Sequence, residues 1–537
     1  MESSILPAGL VTALLHEIKA KRPICLCSYP LNDISLVERL AASPAESLSS
    51  THLACLYGVF SCILKEFIFS QHPLSQSFDL KELTAKCEQR FDALVEKYSV
   101  LGVPSFGNIL ALTLGALEAQ KQLKPLKACA LISAAASHCQ TLGYNHDSTH
   151  GNSSNSRRLF WSVYMLEKQL SFFFGRASLI QDCAIDTAYP IRAPKHPGRP
   201  RDELFIEEIN LTKIQSQICK DVFSKESLSL SHSERDMRIG RLAMELQDKS
   251  PDRLGIYADG LENRLLFNVC LETWETKYYS TFTTLLRAPG PSPPTPDTSG
   301  AMSTLEQHNI LASQSASAQT HIRPECFRTA RAALKTYLRC MRTHQNALTR
   351  LNHPASSELG MNQAMEFPDW SLLSTLLTPF IVIALHTIAT FSSASTQSQK
   401  DPQETAKDLT LLNSIVSSLE PLKSYSPAAT RLYKPISSVT KIAQGLNDRR
   451  ASIGPGSSQE ELRAFARGGS GRRSVASSVL SSGSTSETGS LFQQIMDTDV
   501  LGFVGQGEAE ELFGVLEGWM SGSLKGVEVY GELEGGF

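Results

Sequence analysis

Arg157 and Arg158 stand side by side at the head of an apolar run, RRLFWSVYMLEKQLSFFFGR, that ends on Gly175 and Arg176. Paired guanidiniums offer two rigid forks of donors, which suit a phosphate, a ligand carboxylate or a carboxylate of the chain itself. For arginines in the first turn of a buried helix the internal ion pair is the preferred reading. Asp182 and Asp186 follow Gly175 and Arg176 closely. This set reads as the rim of a small-ligand pocket or, preferably, as a turn fixed by a salt bridge, with glycine supplying backbone freedom and the carboxylates the partner. Phe160 and Trp161 are large apolar fillers of a core.

Three further segments carry charge in a pattern. HPGRPR, residues 196–201, is close to the Arg-Gly-Arg-Pro core that enters a DNA minor groove, but Pro197 replaces the first arginine and a solvated basic loop is preferred. Arg449, Arg450, Arg463, Arg467, Arg472 and Arg473, opposed only by Glu460 and Glu461, form a basic cluster. It suits nuclear import or nonspecific DNA contact, and equally a kinase-regulated disordered linker. Within it, Ser452 follows Arg449 and Arg450 at the spacing a basophilic kinase reads, which makes it a candidate phosphorylation site. Phosphate there would offset local positive charge and weaken import.

Other chemistry finds no support. There is no G-x-S-x-G elbow, no Walker loop and no H-E-x-x-H helix, and Gly505 and Gly507 lack a third glycine and a preceding strand. An enzyme is not expected, nor any catalytic or cofactor-binding residue. The 12 cysteines lie singly, the closest pair being Cys25 and Cys27, which suits reduced, buried thiols better than a disulfide framework. The 13 histidines lack acidic or cysteine neighbours at ligand spacing, so no metal site is expected. A net charge of −3 gives no global field toward nucleic acid. Glu2 and the absence of a base ahead of the apolar run 5–15 are the wrong flank for a signal peptide, so an intracellular chain is expected. Residues 372–391 contain no Asp, Glu, Lys or Arg, the one stretch that resembles a membrane span; Pro379, His386 and the hydroxyl residues favour a buried core helix.

The elements that would hold these residues are helical. Phe106, Leu110, Thr113 and Leu117 recur at helical spacing, widened by Ile109, Leu112 and Ala116. A second helix starts at Pro125 and is capped near Gly143, and its Ala134, Ala135 and Ala136 admit a close neighbour. Residues 145–156 read as a loop with Ser156 as N-cap. In the next helix Leu159, Val163, Leu166 and Leu170 share one face while Trp161 and Met165 point nearly opposite, with Phe160 and Tyr164 between, so this helix must be surrounded by others. Tyr278, Phe282, Leu285 and Leu286 make a stripe that stops at Pro289, and helical patterns return from Glu325, around Pro379 and from Asp408. No alternating strand pattern of convincing length occurs.

In their order, Leu142, Gly143, Arg157, Arg158, Phe160, Trp161, Tyr164, Gly175, Arg176, Ile180, Asp182, Ile185, Asp186 and Pro190 resemble the middle homology region of fungal binuclear zinc-cluster transcription factors, the fungal-specific transcription factor domain. The resemblance extends more weakly over residues 51–445. Asn155 and Ser156 replace an acidic residue common ahead of the arginine pair. The six-cysteine cluster that bridges two zinc ions within about 30 residues in this family has no counterpart, because the first 62 residues offer only Cys25, Cys27, Cys55 and Cys62. The resemblance implies a nuclear transcription regulator, a biosynthetic gene cluster being the kind of target many relatives control. It implies zinc only for members that keep the cluster. The partners implied are DNA, directly only through a missing or partner-supplied zinc cluster, a second copy or a relative as homo- or heterodimer, and transcription coactivators; no membrane is expected.

The fold class expected is all-α: a large multi-helix domain with a disordered linker and an acidic C-terminal tail. Residues 1–50 form an N-terminal segment, 51–448 the helical regulatory domain with a Pro/Ser-rich loop at 288–320, and 449–490 a Ser/Gly/Arg linker too poor in apolar residues to order. In residues 491–537 nine acids face one base, Lys525, for a net charge of −8, with six aromatics interleaved, the alternation of an activation-type tail. The alternative is an interaction protein without a cluster that modulates a complete zinc-cluster factor.

Overall fold

The computed structural model describes residues 6–20, 35–44, 47–69, 72–97, 102–122, 124–147, 154–174, 176–190, 199–256, 264–288, 323–350, 375–392, 402–424 and 426–452. The helices are α1 (Ala8–Ala20), α2 (Ser35–Ala42), α3 (Ser50–Phe69), α4 (Leu80–Glu96), α5 (Phe106–Lys121), α6 (Pro125–Thr141), α7 (Ser154–Phe174) and α8 (Arg199–Asp221). They continue as α9 (Lys225–Leu228), α10 (His232–Asp248), α11 (Pro251–Leu254), α12 (Arg264–Leu286), α13 (Pro324–Arg350), α14 (Leu377–Ser392), α15 (Pro402–Leu419) and α16 (Pro427–Ser452). Among the described residues there is no strand, so the protein is all-α.

Two compact units result, the first from Met1–Ser216, Pro251–Trp274 and Arg339–Ser371, the second from Gln217–Ser250, Glu275–Leu338 and Leu372–Phe537. In the first, α3 packs on α4 and α5, α5 on α6, and α6 on α7. The local chemistry of each end is explicit. Asp79 accepts from the backbone N–H of Lys81 and Glu82 to cap α4, and Ser105 accepts from Asn108 to cap α5. Gly143, at φ 69°, ends α6: its N–H donates to Gln140 O (3.1 Å) and that of Tyr144 to Cys139 O (2.9 Å), the paired closure only a left-handed residue permits.

Close approach of α3 to its neighbours needs Gly58. A Cβ there would lie 2.9 Å from the Phe91 ring of α4 and 3.0 Å from Leu114 of α5. Gly58→Val is therefore expected to force the three helices apart and cost about 1–3 kcal/mol, read as a lower melting temperature. An unchanged melting curve would show that the helices have room there.

In the second unit α14 packs on α15 and α16, and its Phe380, Ile381, Val382, Ile383, Ala384 and Leu385 are all buried. This is the core-helix reading of the uncharged stretch. It was not the only stretch of its kind: α3, over Ser50–Ile68, is the described helix long and apolar enough to cross a membrane, because Lys65 and Glu66 are too few to break it, and it too is packed inside its unit.

Some boundaries differ from expectation. Residues 1–50 contain α1 and α2, with Leu10, Leu14, Ile18, Val37 and Leu40 buried. Ser156 does not cap α7; the helix starts at Ser154, and Ser156 is buried within its first turn beside Tyr144, whose phenol it hydrogen-bonds. α16 runs past residue 448 to Ser452. The loop after Ala288 to residue 320, the linker from residue 453 and the tail 491–537 lie outside the described residues.

Candidate functional site

α7 carries the family motif, and it is buried nearly all round from Arg158 to Lys168. An apolar helix with charges in the middle must bring partners inside for them. Arg158 is 0 % exposed; its Nη1 lies 3.2 Å from Asp202 Oδ1, and its guanidinium stacks 4.0 Å from the centre of the Phe205 ring, both on α8. Arg157, nearer the surface, pairs with Asp147 at 3.2 Å. Both arginines thus make internal ion pairs, as preferred from the sequence.

One turn on, Trp161 is 1 % exposed. Its Nε1 donates to Ala188 O at 3.0 Å, and its ring meets those of Phe160, Tyr164 and Tyr189 at 5.3, 5.2 and 5.1 Å. Lys213 Nζ sits 4.8 Å over the Trp161 ring and donates to Tyr189 Oη at 2.9 Å. Phe160 is fully buried, the core role expected of it.

Asp182 and Asp186 are engaged, but not by Arg176. Tyr164 Oη donates to Asp182 Oδ1 at 2.7 Å, while Lys168 Nζ (3.3 Å) and Ser216 Oγ (2.8 Å) donate to Oδ2. Burial, reinforced by the Asp182 carboxylate, pushes the Tyr164 phenol well above its usual range and keeps it a donor. Asp186 Oδ1 accepts from the Asp147 N–H at 3.0 Å and faces His146 Nδ1 at 3.2 Å. Glu167, wholly buried, accepts from Ser171 Oγ (2.9 Å), Ser178 Oγ (2.6 Å) and Leu179 N–H (2.9 Å). The expected salt bridge of Arg176 with these aspartates is therefore wrong. Lys168 and Tyr164 project from α7 straight onto Asp182, and His146 from the opposite loop holds Asp186. Arg176 lies instead near Cys129 of α6, its Nε and Nη2 buried without a hydrogen-bond partner among the described residues. Gly175 lies outside the described residues.

This arrangement is a clamp. Asn145 O accepts from the N–H groups of Asp186 and Thr187, and Asn145 Nδ2 donates to Ala184 O at 2.8 Å, so the segment 182–190 is stitched to the end of α6 and to α7. The motif's carboxylates are consumed by the chain's own donors, which favours a structural role for the motif over a ligand pocket. Sequence reasoning missed Lys168, Glu167, Asp202 and Lys213. The signal for the first two was present: a Glu-Lys pair inside an apolar helix demands buried partners.

The remaining candidates fare differently. Arg199, Pro200 and Arg201 open α8, so the extended form that a minor-groove hook requires is not adopted there; residues 196–198 lie outside the described residues. Arg449, Arg450 and Ser452 end α16, and the other arginines of that cluster lie outside the described residues. Burial pushes the thiols of Cys55, Cys87 and Cys326 up to about 12, so they stay protonated; Cys183 is exposed, contrary to the uniformly buried set expected. Among the described residues no group of three or more His, Cys, Asp or Glu is placed to hold a metal ion.

No curated protein and no solved structure matches the chain. Residues 126–274, from the start of α6 into α12 and including the whole clamp, match the model of the fungal specific transcription factor domain. That family is one of nuclear transcription factor domains and not of enzymes. Over residues 126–274 the chain is therefore similar to the fungal specific transcription factor domain.

Proposed function

We propose that the chain regulates RNA polymerase II genes in a fungus, a biosynthetic gene cluster being the class of target, with the helical body setting activity and residues 491–537 contacting the transcription machinery. The observation that carries the reading is the matched domain at 126–274, whose motif residues close on one another and leave regulation to surfaces and tail. Sequence recognition then falls to a zinc cluster supplied by sequence beyond this chain or by a partner in a homo- or heterodimer. The alternative is an interaction protein without a cluster that modulates a complete zinc-cluster factor. Mapping of the 5′ end of the transcript separates them: six upstream cysteine codons support the first, and a full-length transcript without them supports the second.

The tail is testable alone. Residues 491–537 fused to an unrelated DNA-binding domain are expected to activate a reporter, because the acids keep Phe492, Phe503, Phe513 and Trp519 solvated and free to enter a coactivator groove as a short amphipathic helix. Phe513→Ala with Trp519→Ala is expected to abolish the signal while leaving the melting temperature of the full chain unchanged. A lowered melting temperature would mean that EELFGVLEGWM docks on the body instead, and a silent fusion would remove the activation role.

A further inference from the structure

α6 presents water with a face that carries no charge. Its packing on α5 and α7 leaves open a strip of Leu126, Ala130, Ser133, Ser137 and Gln140, spaced four, three, four and three residues apart along one side. Ser133 is half-buried and the other four are exposed. A helix face turned to water ordinarily carries charged residues, but the sole charged side chain of α6, Lys127, lies beside the strip and not on it. Both ends of the strip are marked by a large apolar side chain. Leu126 is 54 % exposed at one end; Leu179 is 52 % exposed at the other, where its carbonyl accepts from Gln140 Nε2 at 3.5 Å. A single exposed leucine is ordinary, whereas two that close an uncharged strip make a patch.

Beyond the strip the two ends differ in charge. Near Leu126 stand the exposed Lys97 and Lys124, and Lys127. The carboxylates there are Glu96, 3.8 Å from Lys127, and the half-buried Asp92 and Glu118, both of which accept from Gln122. This end thus shows water more ammonium than carboxylate. Past Gln140 stand Asp147 and Asp186, 40 % and 63 % exposed, facing Arg157, which is only 22 % exposed, and His146. That end shows mainly carboxylate.

A strip with this order is complementary to itself when reversed. Two copies of α6, each about 25 Å long, laid antiparallel about an axis between Ser133 and Ala134, place Ala130 of one opposite Ser137 of the other. Small side chains there allow close approach, and Leu126 of each copy comes to Leu179 of the other. The same operation sets each lysine end on an aspartate end, whereas a parallel pair would set like charge on like. We infer that the α6 strip is the surface through which two copies of this chain pair, antiparallel. The inference rests on the reading that the chain acts as a pair, and gives the homodimer its contact. One helix face covers less than the roughly 800 Å² per partner of a stable complex, so the pair is weak and forms at micromolar concentration.

Sedimentation of the full chain between about 1 and 100 μM tests the pairing. A monomer–dimer equilibrium is expected, weakened several-fold between about 0.1 and 0.5 M salt because the end charges are exposed. Ser137→Arg sets a guanidinium against Ala130 of the second copy and is expected to raise the dissociation constant at least about 10-fold, with helix content and monomer melting temperature unchanged. Ser137→Ala, which keeps the strip small, should leave the equilibrium as it is. Register is read separately: in a Cys183→Ser background, Leu126→Cys combined with Leu179→Cys is expected to cross-link position 126 of one copy to position 179 of the other on mild oxidation. A chain that stays monomeric over this range, a dimer indifferent to Ser137→Arg, or cross-links only between like positions would each overturn the inference. In a monomer, slow amide exchange confined to the strip would show that another part of the chain lies on it instead. The transcript mapping above decides the source of the zinc cluster whichever result is found.

Discussion

Trp161→Ala is expected to lower the stability of the first unit by about 3–5 kcal/mol, the cost of removing a large ring from a filled core plus the cavity it leaves. The ring is 1 % exposed and meets Phe160, Tyr164 and Tyr189, so neighbours on several sides would have to move to fill the space. Two further losses add to it. Ala188 O would lose its donor, and Lys213 would lose the face over which its charge rests, leaving it only Tyr189. Trp161→Phe keeps much of the apolar volume and sacrifices only the Nε1 bond and part of the ring, so its cost is expected to be clearly smaller. Thermal and denaturant unfolding of the two variants decide the matter; equal melting curves for wild type and Trp161→Ala would mean that the helix is not central.

How far this clamp was legible follows from the range of each interaction. Helical periodicity is a local signal, and it exposed α7 as a helix apolar on too many sides to be anything but central. Pro125 and Gly143 bracketed α6 for equally local reasons, one fixing φ at the start and the other supplying the positive φ at the end. Partners are another matter. Asp202 lies 44 residues from Arg158 and Lys213 still further from Trp161, and no spacing rule connects them. Arg176 failed for the same reason: sequence proximity to Asp182 suggested a pair, yet side chains leave a helix in fixed directions, and Lys168 and Tyr164 point at Asp182 from one turn apart. α8 carries the same local signal: Leu211, Ile214 and Ile218 recur along it at spacings of three and four and are buried, but the charges around them mask the stripe. The resemblance to the fungal domain reached further than periodicity because it carries non-local pairing implicitly, through the order of its pieces.

Arg331→Ala is expected to destabilise the second unit by about 3–5 kcal/mol near neutral pH, because it strands a buried carboxylate. Arg331 of α13 grips Asp408 of α15 with two bonds of 2.7 Å and reaches Glu404 at 2.7 Å, while the Asp408 side chain is only 3 % exposed. His386 of α14 packs at a tilt against Phe327 and lies 3.7 Å from the same carboxylate, so three helices converge on one buried charge. Burial alone would raise the Asp408 carboxyl; hydrogen bonds and charge from His386 and Arg331 outweigh it and hold the group below its ordinary value. A depressed carboxyl contributes stability above its unfolded value, about 3.9, and loses that contribution as pH falls through the folded value. The wild-type second unit should accordingly weaken in acid. In Arg331→Ala the main counter-charge is gone and burial remains, so Asp408 takes its proton at higher pH and the gap between variant and wild type narrows as pH falls from 7 toward 4. Arg331→Met combined with Asp408→Asn should recover much of the loss at pH 7, since it removes both charges instead of stranding one. Chemical unfolding of the three proteins at pH 7 and pH 4 measures the gap directly. A cost for Arg331→Ala that stays constant between those values, or is not reduced by the second substitution, would place the damage in lost packing and not in the stranded Asp408 carboxylate.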